Sequence, residues 1–447
     1  MTADTADVSF EALYDALENE RPLDADDPAD QALYVPELHK VDGINPADEL
    51  LVQIKLARQG AAWFFTGHRG VGKSTELRRV AHELRQQRHV VIVADMGEYL
   101  NLAEEISAEL LLLTMMAALS DGFEQQFGGR PLARGWIARL RDYVTRTNVE
   151  VEQITAGLSG TAKLDVKAVL KDDPTLRERI VKAARAALGQ FVAEVRLYAK
   201  EVVQYVRLHR PGAKVVLVLD SLERLRVGGT DAAKRYDAIQ QTFETYADFL
   251  KFDDLYVVYS IPPYLPYLAP KLGSYYGVGI CTLPHVKVFE RPTAEGGRDR
   301  PHEAGVRFML DALQRRCPCA LQVVESDLLK HLALASSGSV RDFFALVRGT
   351  CVKAMLASEA VPLRNARWTT AAEQQLRSEM PLAEEDLVWL KKVRQTHGTG
   401  LDKTENLPKL ARLFDSGMIL GYRNGDYWCD VHFLLREEVD RAPAAGA

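Results

Sequence analysis

The sequence predicts an α/β protein built around a central parallel sheet, and three observations carry that prediction. From residue 50 onward short, wholly apolar runs alternate with helical patterns, a glycine-rich loop joins one such run to a helix, and another run ends in a carboxylate. Apolar runs separated by helices read as strands buried on both faces and joined by crossovers, which demands a parallel sheet. At 447 residues the chain exceeds what one core organises, so one large and one or two small domains are expected. With 47% hydrophobic and 26% charged residues the composition is that of a globular protein, which excludes disordered, collagen-like and membrane classes.

Residues 1–31 form an acidic N-terminal arm with ten acids against the single base Arg21. Phe10, Leu13, Tyr14 and Leu17 keep helical spacing within it, and the expectation is a loosely attached segment. Because the whole chain carries a net charge of -6, the rest is close to neutral and bulk charge makes no case for nucleic acid. Asp4, Asp7 and Glu11 stand where a secretory signal needs a basic, then apolar, start. The most apolar stretch, 110–120, is bounded by Glu109 and Asp121 and is too short to cross a bilayer. A cytoplasmic protein without membrane contact is expected. Cys281, Cys317, Cys319, Cys351 and Cys429 make an odd set without CxxC spacing, so neither a disulfide framework nor a zinc module is indicated.

The α/β core is expected over 32–300, with a helix at 49–59, a strand at 61–66, a helix at 74–88, a strand at 90–96 and a helix at 103–120. A mainly helical insertion follows at about 121–210. Within it, 157–170 alternates as a hairpin does, and 174–207 reads as one long helix with Ile180, Ala184, Leu188, Phe191, Val195, Tyr198, Val202 and Tyr205 on one face. Arg177, Arg179, Lys182, Arg185, Arg196 and Lys200 lie opposite, as on a solvated face. A strand at 214–220, a helix at 232–252 and a strand at 255–261 resume the rhythm. A helical lid is expected over 301–380, a helices-then-hairpin module over 381–440 and a tail over 441–447.

The strand at 61–66 runs into Gly67-His68-Arg69-Gly70-Val71-Gly72-Lys73-Ser74, followed by the helix formers Thr75, Glu76 and Leu77. This is GxxxxGK[ST] in its strand-loop-helix setting, the pattern of a phosphate-binding loop. Glycines let the backbone turn successive N–H groups onto phosphate oxygens, and the helix start adds positive potential. Lys73 reads as the β- and γ-phosphate cation and Ser74 as a Mg²⁺ ligand. The apolar run 214–220 ends in Asp220-Ser221-Leu222-Glu223, which delivers acids to the carboxyl edge of the sheet. Asp220 suits the metal, and Glu223 is the candidate base for an attacking water.

These two motifs resemble those of the P-loop NTPases in the AAA+ and STAND group, which implies ATP and Mg²⁺ as ligands. The second acid three residues on resembles the STAND form; Ser221 occupies the place where AAA+ ATPases carry it. The resemblance places a γ-phosphate sensor at the end of strand 255–261, where Ser260 is the candidate and the Arg frequent in STAND proteins is absent. Ser337-Gly338-Ser339-Val340-Arg341-Asp342 supplies a turn glycine and an N-cap, opening an apolar helix expected to close at Gly349. It is similar to the lid-helix start of initiator-type AAA+ ATPases, which implies that Arg341 reaches the γ-phosphate. Arg315 and Arg316 are the candidates for an in-trans finger in an oligomer.

In the last module Arg423-Asn424-Gly425 sits between apolar strands at 418–422 and 426–431, a strong hairpin signal. Two helices followed by such a wing resemble a winged helix. Residues 381–440 carry eight bases against eleven acids, which removes the counterion-release term of nucleic-acid affinity and favours a protein-contact or intramolecular role. The resemblance as a whole implies an ATP-hydrolysing switch that couples nucleotide state to a protein partner or self-association, in bacterial defence. An ATP-binding scaffold or DNA-binding adaptor without turnover is the alternative.

Overall fold

The computed structural model describes residues 8–18, 21–41, 43–102, 104–128, 132–146, 171, 174–225, 232–293 and 299–442. The chain folds as two compact units. One comprises Glu49–Thr66 and Leu77–Cys281, and the other Met1–Asp48, Gly67–Glu76 and Thr282–Ala447.

The first unit holds the sheet, with strands β1 (Ala62–Thr66), β2 (Val90–Asp95), β3 (Val215–Asp220), β4 (Tyr256–Ile261) and β5 (Ile280–Thr282) in the order β2-β3-β4-β1-β5. The pairs β2–β3, β3–β4 and β4–β1 are parallel. Every residue of β1, β3 and β4 is buried, as expected of central strands covered on both faces. The chain leaves β1 for the far edge at β2, returns through β3 and β4, and then passes β1 to reach β5. Neighbours β1 and β4 therefore send their chains in opposite directions across the sheet, the topology of a switch point. The short edge strand β5 carries too few residues to announce itself in the sequence.

Helices cover this sheet closely. A Cβ at Gly122, in helix Ala108–Phe127, would stand 2.4 Å from Ile92 of β2, so the missing side chain sets the spacing. The expected single helix over 174–207 is two, Pro174–Ala186 and Leu188–His209, broken at Ala187 (φ -137°) just before Gly189. Its basic face is partly committed to this chain: Arg177 pairs with Glu104, Arg185 with buried Glu109 at 3.1 Å, and Arg196 donates to the Asp248 carbonyl at 2.7 Å. The hairpin expected at 157–170 lies outside the described residues. Lys214 caps helix Pro46–Leu56 by donating to the carbonyls of Ile54, Lys55 and Ala57 at 2.6–2.7 Å, oxygens that the end of a helix leaves unsatisfied.

The second unit is helical with one hairpin. Helices Glu303–Arg316, Ser326–Ala335, Val340–Leu356 and Arg367–Ser378 form the lid. Helices Glu384–Thr396 and Leu407–Asp415 precede β6 (Ile419–Asn424) and β7 (Asp426–Val431), an antiparallel pair turning at Gly425, and this is the winged-helix-like arrangement. The N-terminal segment is docked rather than loose. Helix Phe10–Glu18 buries Phe10, Leu13 and Leu17 in the lid core beside Leu329, Phe343 and Val347, because three apolar residues on one face outweigh the charge of the other. Gly349 does not stop its helix, which runs on to Leu356. Instead a Cβ there would stand 3.3 Å from Ala372, so the glycine permits a close crossing of two lid helices. Buried Arg394, Arg436 and Asp430 and partly exposed Asp299 make an ion cluster, with Arg394 to Asp430 at 3.1 Å, Arg436 to Asp430 at 2.9 Å and both arginines on Asp299.

Candidate functional site

The loop 67–72 is shaped by its glycines. Gly70 and Gly72 lie at φ +84° and +95°, a left-handed region that residues with a Cβ rarely enter. A Cβ at Gly67 would stand 2.6 Å from the Leu283 carbonyl oxygen. Val71 is fully buried and Arg69 exposed. Helix Lys73–Gln86 starts at once, with Glu76 N–H donating to the Gly72 carbonyl at 3.1 Å. The loop thus runs straight into a helix N-terminus, where orphan N–H groups and the macrodipole favour an anion. The buried Lys73 ammonium donates to the His68 carbonyl at 2.9 Å, folded back along the loop that it closes. Ser74 and Thr75 are half-buried, and Thr75 Oγ1 accepts from Leu23 N–H at 3.2 Å.

Residues outside the sequence motif, Tyr34, Asn45, His39, Tyr427, Phe414 and His285, surround this loop and its own His68. Tyr34 and Asn45 donate to the two carboxylate oxygens of Glu76 at 2.9 and 3.1 Å. His39 Nε2 is 3.5 Å from where a Cβ at Gly72 would be. His68 is buried with its Nε2 3.0 Å from the Tyr427 hydroxyl of β7, and its ring meets Phe414 and His285 at 4.7 and 5.1 Å between centroids. Burial, then the nearby His285 and Lys73 charges, hold the His68 imidazole well below its usual range. Apart from His68, which the loop motif contains, no sequence pattern marks these residues; only the fold gathers them.

The lid helix sits against the same loop. Ser339 caps it by accepting from Asp342 N–H at 3.3 Å, as the sequence predicts. A Cβ at Gly70 would be 3.1 Å from the Arg341 Cβ and 3.2 Å from the Ser339 hydroxyl, so Arg341 is rooted where the loop turns. Arg315 donates to the Tyr34 carbonyl, and Arg316 lies over the Phe344 ring at 4.6 Å. Both side chains thus engage their own chain.

In the sheet unit, strand register sets Asp95, Asp220, Ser260 and Phe65 level at the carboxyl edge: Asp95 pairs with Asp220, Leu219 with Tyr259, and Ser260 with Phe65. Asp220 is buried and accepts from Ser221 N–H at 2.8 Å. Ser221 takes φ +70°, an uncommon conformation for a side-chain residue, and turns the chain so that Glu223 comes back over the edge. The Ser260 hydroxyl donates to Glu223 Oε2 at 2.7 Å. The two candidates are therefore one hydrogen-bonded pair, a relation that the sequence reading, with Ser260 assigned to a phosphate, did not contain. Among the described residues no group of three or more His, Cys, Asp or Glu forms a metal site, and no helix is long and apolar enough to cross a membrane. Ser74, at the start of helix Lys73–Gln86, and Asp220, at the end of β3, each carry an oxygen of the kind that magnesium takes. The five cysteines are all unbridged and buried.

No protein-family model matches the chain, and no curated protein matches it. Among solved structures it is similar to the Walker-type ATPase paby2304 of Pyrococcus abyssi, at 12% identity over 92% of this chain and 99% of that one, with a TM-score of 0.41. It is also similar to the ADP form of the ORC2 protein of Aeropyrum pernix, at 12% identity over 92% and 97% of the two chains (TM-score 0.40), and to Cdc6p from Pyrobaculum aerophilum, at 10% identity over 92% and 98% (TM-score 0.36).

Proposed function

We propose that the protein is a magnesium-dependent ATPase that works as a nucleotide-operated switch of the AAA+/STAND type. The observation that carries this reading is the loop itself: two glycines in left-handed conformations and a buried lysine, set between a central strand and a helix N-terminus. That combination matches a polyanion and has no comparable purpose as a plain turn. Lys73 then leaves the His68 carbonyl for the β- and γ-phosphates, and the N–H groups of 70–75 take the remaining oxygens. Ser74 and Asp220 would hold a magnesium ion, which would supply positive charge to the phosphate oxygens. Glu223, with Ser260 fixing one of its oxygens, accepts a proton from the attacking water. Arg341 supplies positive charge to the transferred group from the lid.

Nucleotide state then alters what the protein contacts in a partner or a second copy, with bacterial defence as the setting that the sequence resemblance suggests. Calorimetry with Mg·ATP and steady-state phosphate release test the core of this reading. Wild type should bind and turn over, and Lys73→Ala should lose both. Tight binding without turnover in wild type would leave the scaffold or adaptor reading in its place.

A further inference from the structure

The His68 ring is held by elements that lie far from it in sequence. Its Nδ1 is buried without a hydrogen-bond partner, so the 3.0 Å contact between Nε2 and the Tyr427 hydroxyl is its polar anchor among the described residues. Gly421, on the facing strand β6, makes room for that anchor: a Cβ there would stand 1.7 Å from the Tyr427 hydroxyl oxygen and 2.9 Å from His68 Nε2. Gly421 also accepts from His285 N–H at 2.9 Å and donates to His285 Nδ1 at 3.3 Å, which ties the hairpin to the imidazole beside His68. On the backbone side of the same residue, the His68 carbonyl accepts from Lys73.

We propose that Tyr427 of the C-terminal hairpin is a positioning residue for the phosphate-binding loop, acting through His68, so that the winged-helix-like module senses and sets the geometry of the loop. The inference rests on the nucleotide reading above and adds to it the module's task. A loop held in its binding shape does not have to be ordered when ligand arrives, and that difference appears as affinity. Removing the hydroxyl leaves both ring nitrogens of a buried imidazole without partners, and the loop relaxes to relieve them. Coupling of this kind is reciprocal, so a ligand that fixes the loop must also steady the hairpin. The wing strand is then committed to its own chain through Tyr427, which accounts for a winged-helix-like module with no excess of positive charge.

The test uses the full-length chain and Mg·ATP. Tyr427→Phe should bind about tenfold more weakly than wild type by calorimetry. His68→Leu should weaken binding similarly, and the double variant should be no weaker than His68→Leu alone, because the two residues act as one path. In wild type, Mg·ATP should raise hydrogen-exchange protection of residues 419–431, and Tyr427→Phe should abolish that response. Unchanged or tighter binding in Tyr427→Phe, additive losses in the double variant, or a wild-type hairpin indifferent to Mg·ATP would each overturn the inference. If a variant does not fold, the wild-type exchange measurement decides alone. Absence of any Mg·ATP binding by wild type is a separate result and removes the nucleotide reading instead.

Discussion

The carboxyl edge of the sheet and the surroundings of the phosphate-binding loop are built on opposite plans. At the sheet edge, parallel register sets Asp95, Asp220 and Ser260 level on neighbouring strands, and each strand is a mainly apolar run that the sequence displays. Around the loop, His39, His68, His285, Phe414 and Tyr427 meet from five separate segments. The edge is local pattern repeated, whereas the loop's setting is long-range packing. Polar chemistry placed by register tolerates change in its neighbours, while polar chemistry placed by packing fails as a group.

Variants that break either plan sharpen the contrast. The largest expected effect is on the packed plan: Arg394→Ala strands Asp299 and Asp430 without one of their two arginines and should destabilise the helical unit by about 3–5 kcal/mol in chemical denaturation. A loss below about 1 kcal/mol would show that the cluster contributes no more than a surface ion pair. Next is Glu223→Gln at the edge, which should keep Mg·ATP affinity and slow phosphate release by about a hundredfold or more. An unchanged rate removes Glu223 from the role of base. Ser260→Ala should lower turnover by about tenfold, the value of a hydrogen bond to a charged group, without changing affinity. If affinity falls instead, Ser260 contacts phosphate.

The smallest effect is a slope with pH. Burial pushes the His285 imidazole from 6.5 to about 3, with His432 and His39 adding to the depression and Gly421 and Asp342 opposing it; His68 is depressed as well. The unfolded chain therefore takes up these protons first. Stability is full above pH 6.5 and falls as pH drops toward 3, by at most ~1.4 kcal/mol per pH unit for each imidazole. Urea midpoints measured at pH 7.5 and 5.5 should show the loss, and His285→Asn should lessen it.

Much of the scaffold was legible before any coordinates. The strands at 61–66, 90–96, 214–220 and 255–261 are each found within a residue of expectation, because a strand buried on both faces is mostly apolar and stands out from its polar flanks. The Ser339 cap and the Asn-Gly turn were legible for a similar reason: their chemistry lies within four residues. The break at Ala187, the docking of Phe10–Glu18 and the passage of a helix through Gly349 were not, since each depends on what lies opposite. Ser260 shows both sides of this. Its place at the edge was readable, but its partner Glu223 was not, because the left-handed turn at Ser221 that brings the carboxylate back has no signature in the sequence.

By itself the amino-acid sequence determined the buried strands, the glycine pattern of the loop and the acid at the end of β3, because each arises from residues in contact along the chain. Tertiary structure alone decided that Tyr427 reaches His68 across 359 positions and that Arg341 is seated at Gly70. Such pairings depend on how whole elements pack, and packing energy is summed over surfaces that no short stretch of chain contains.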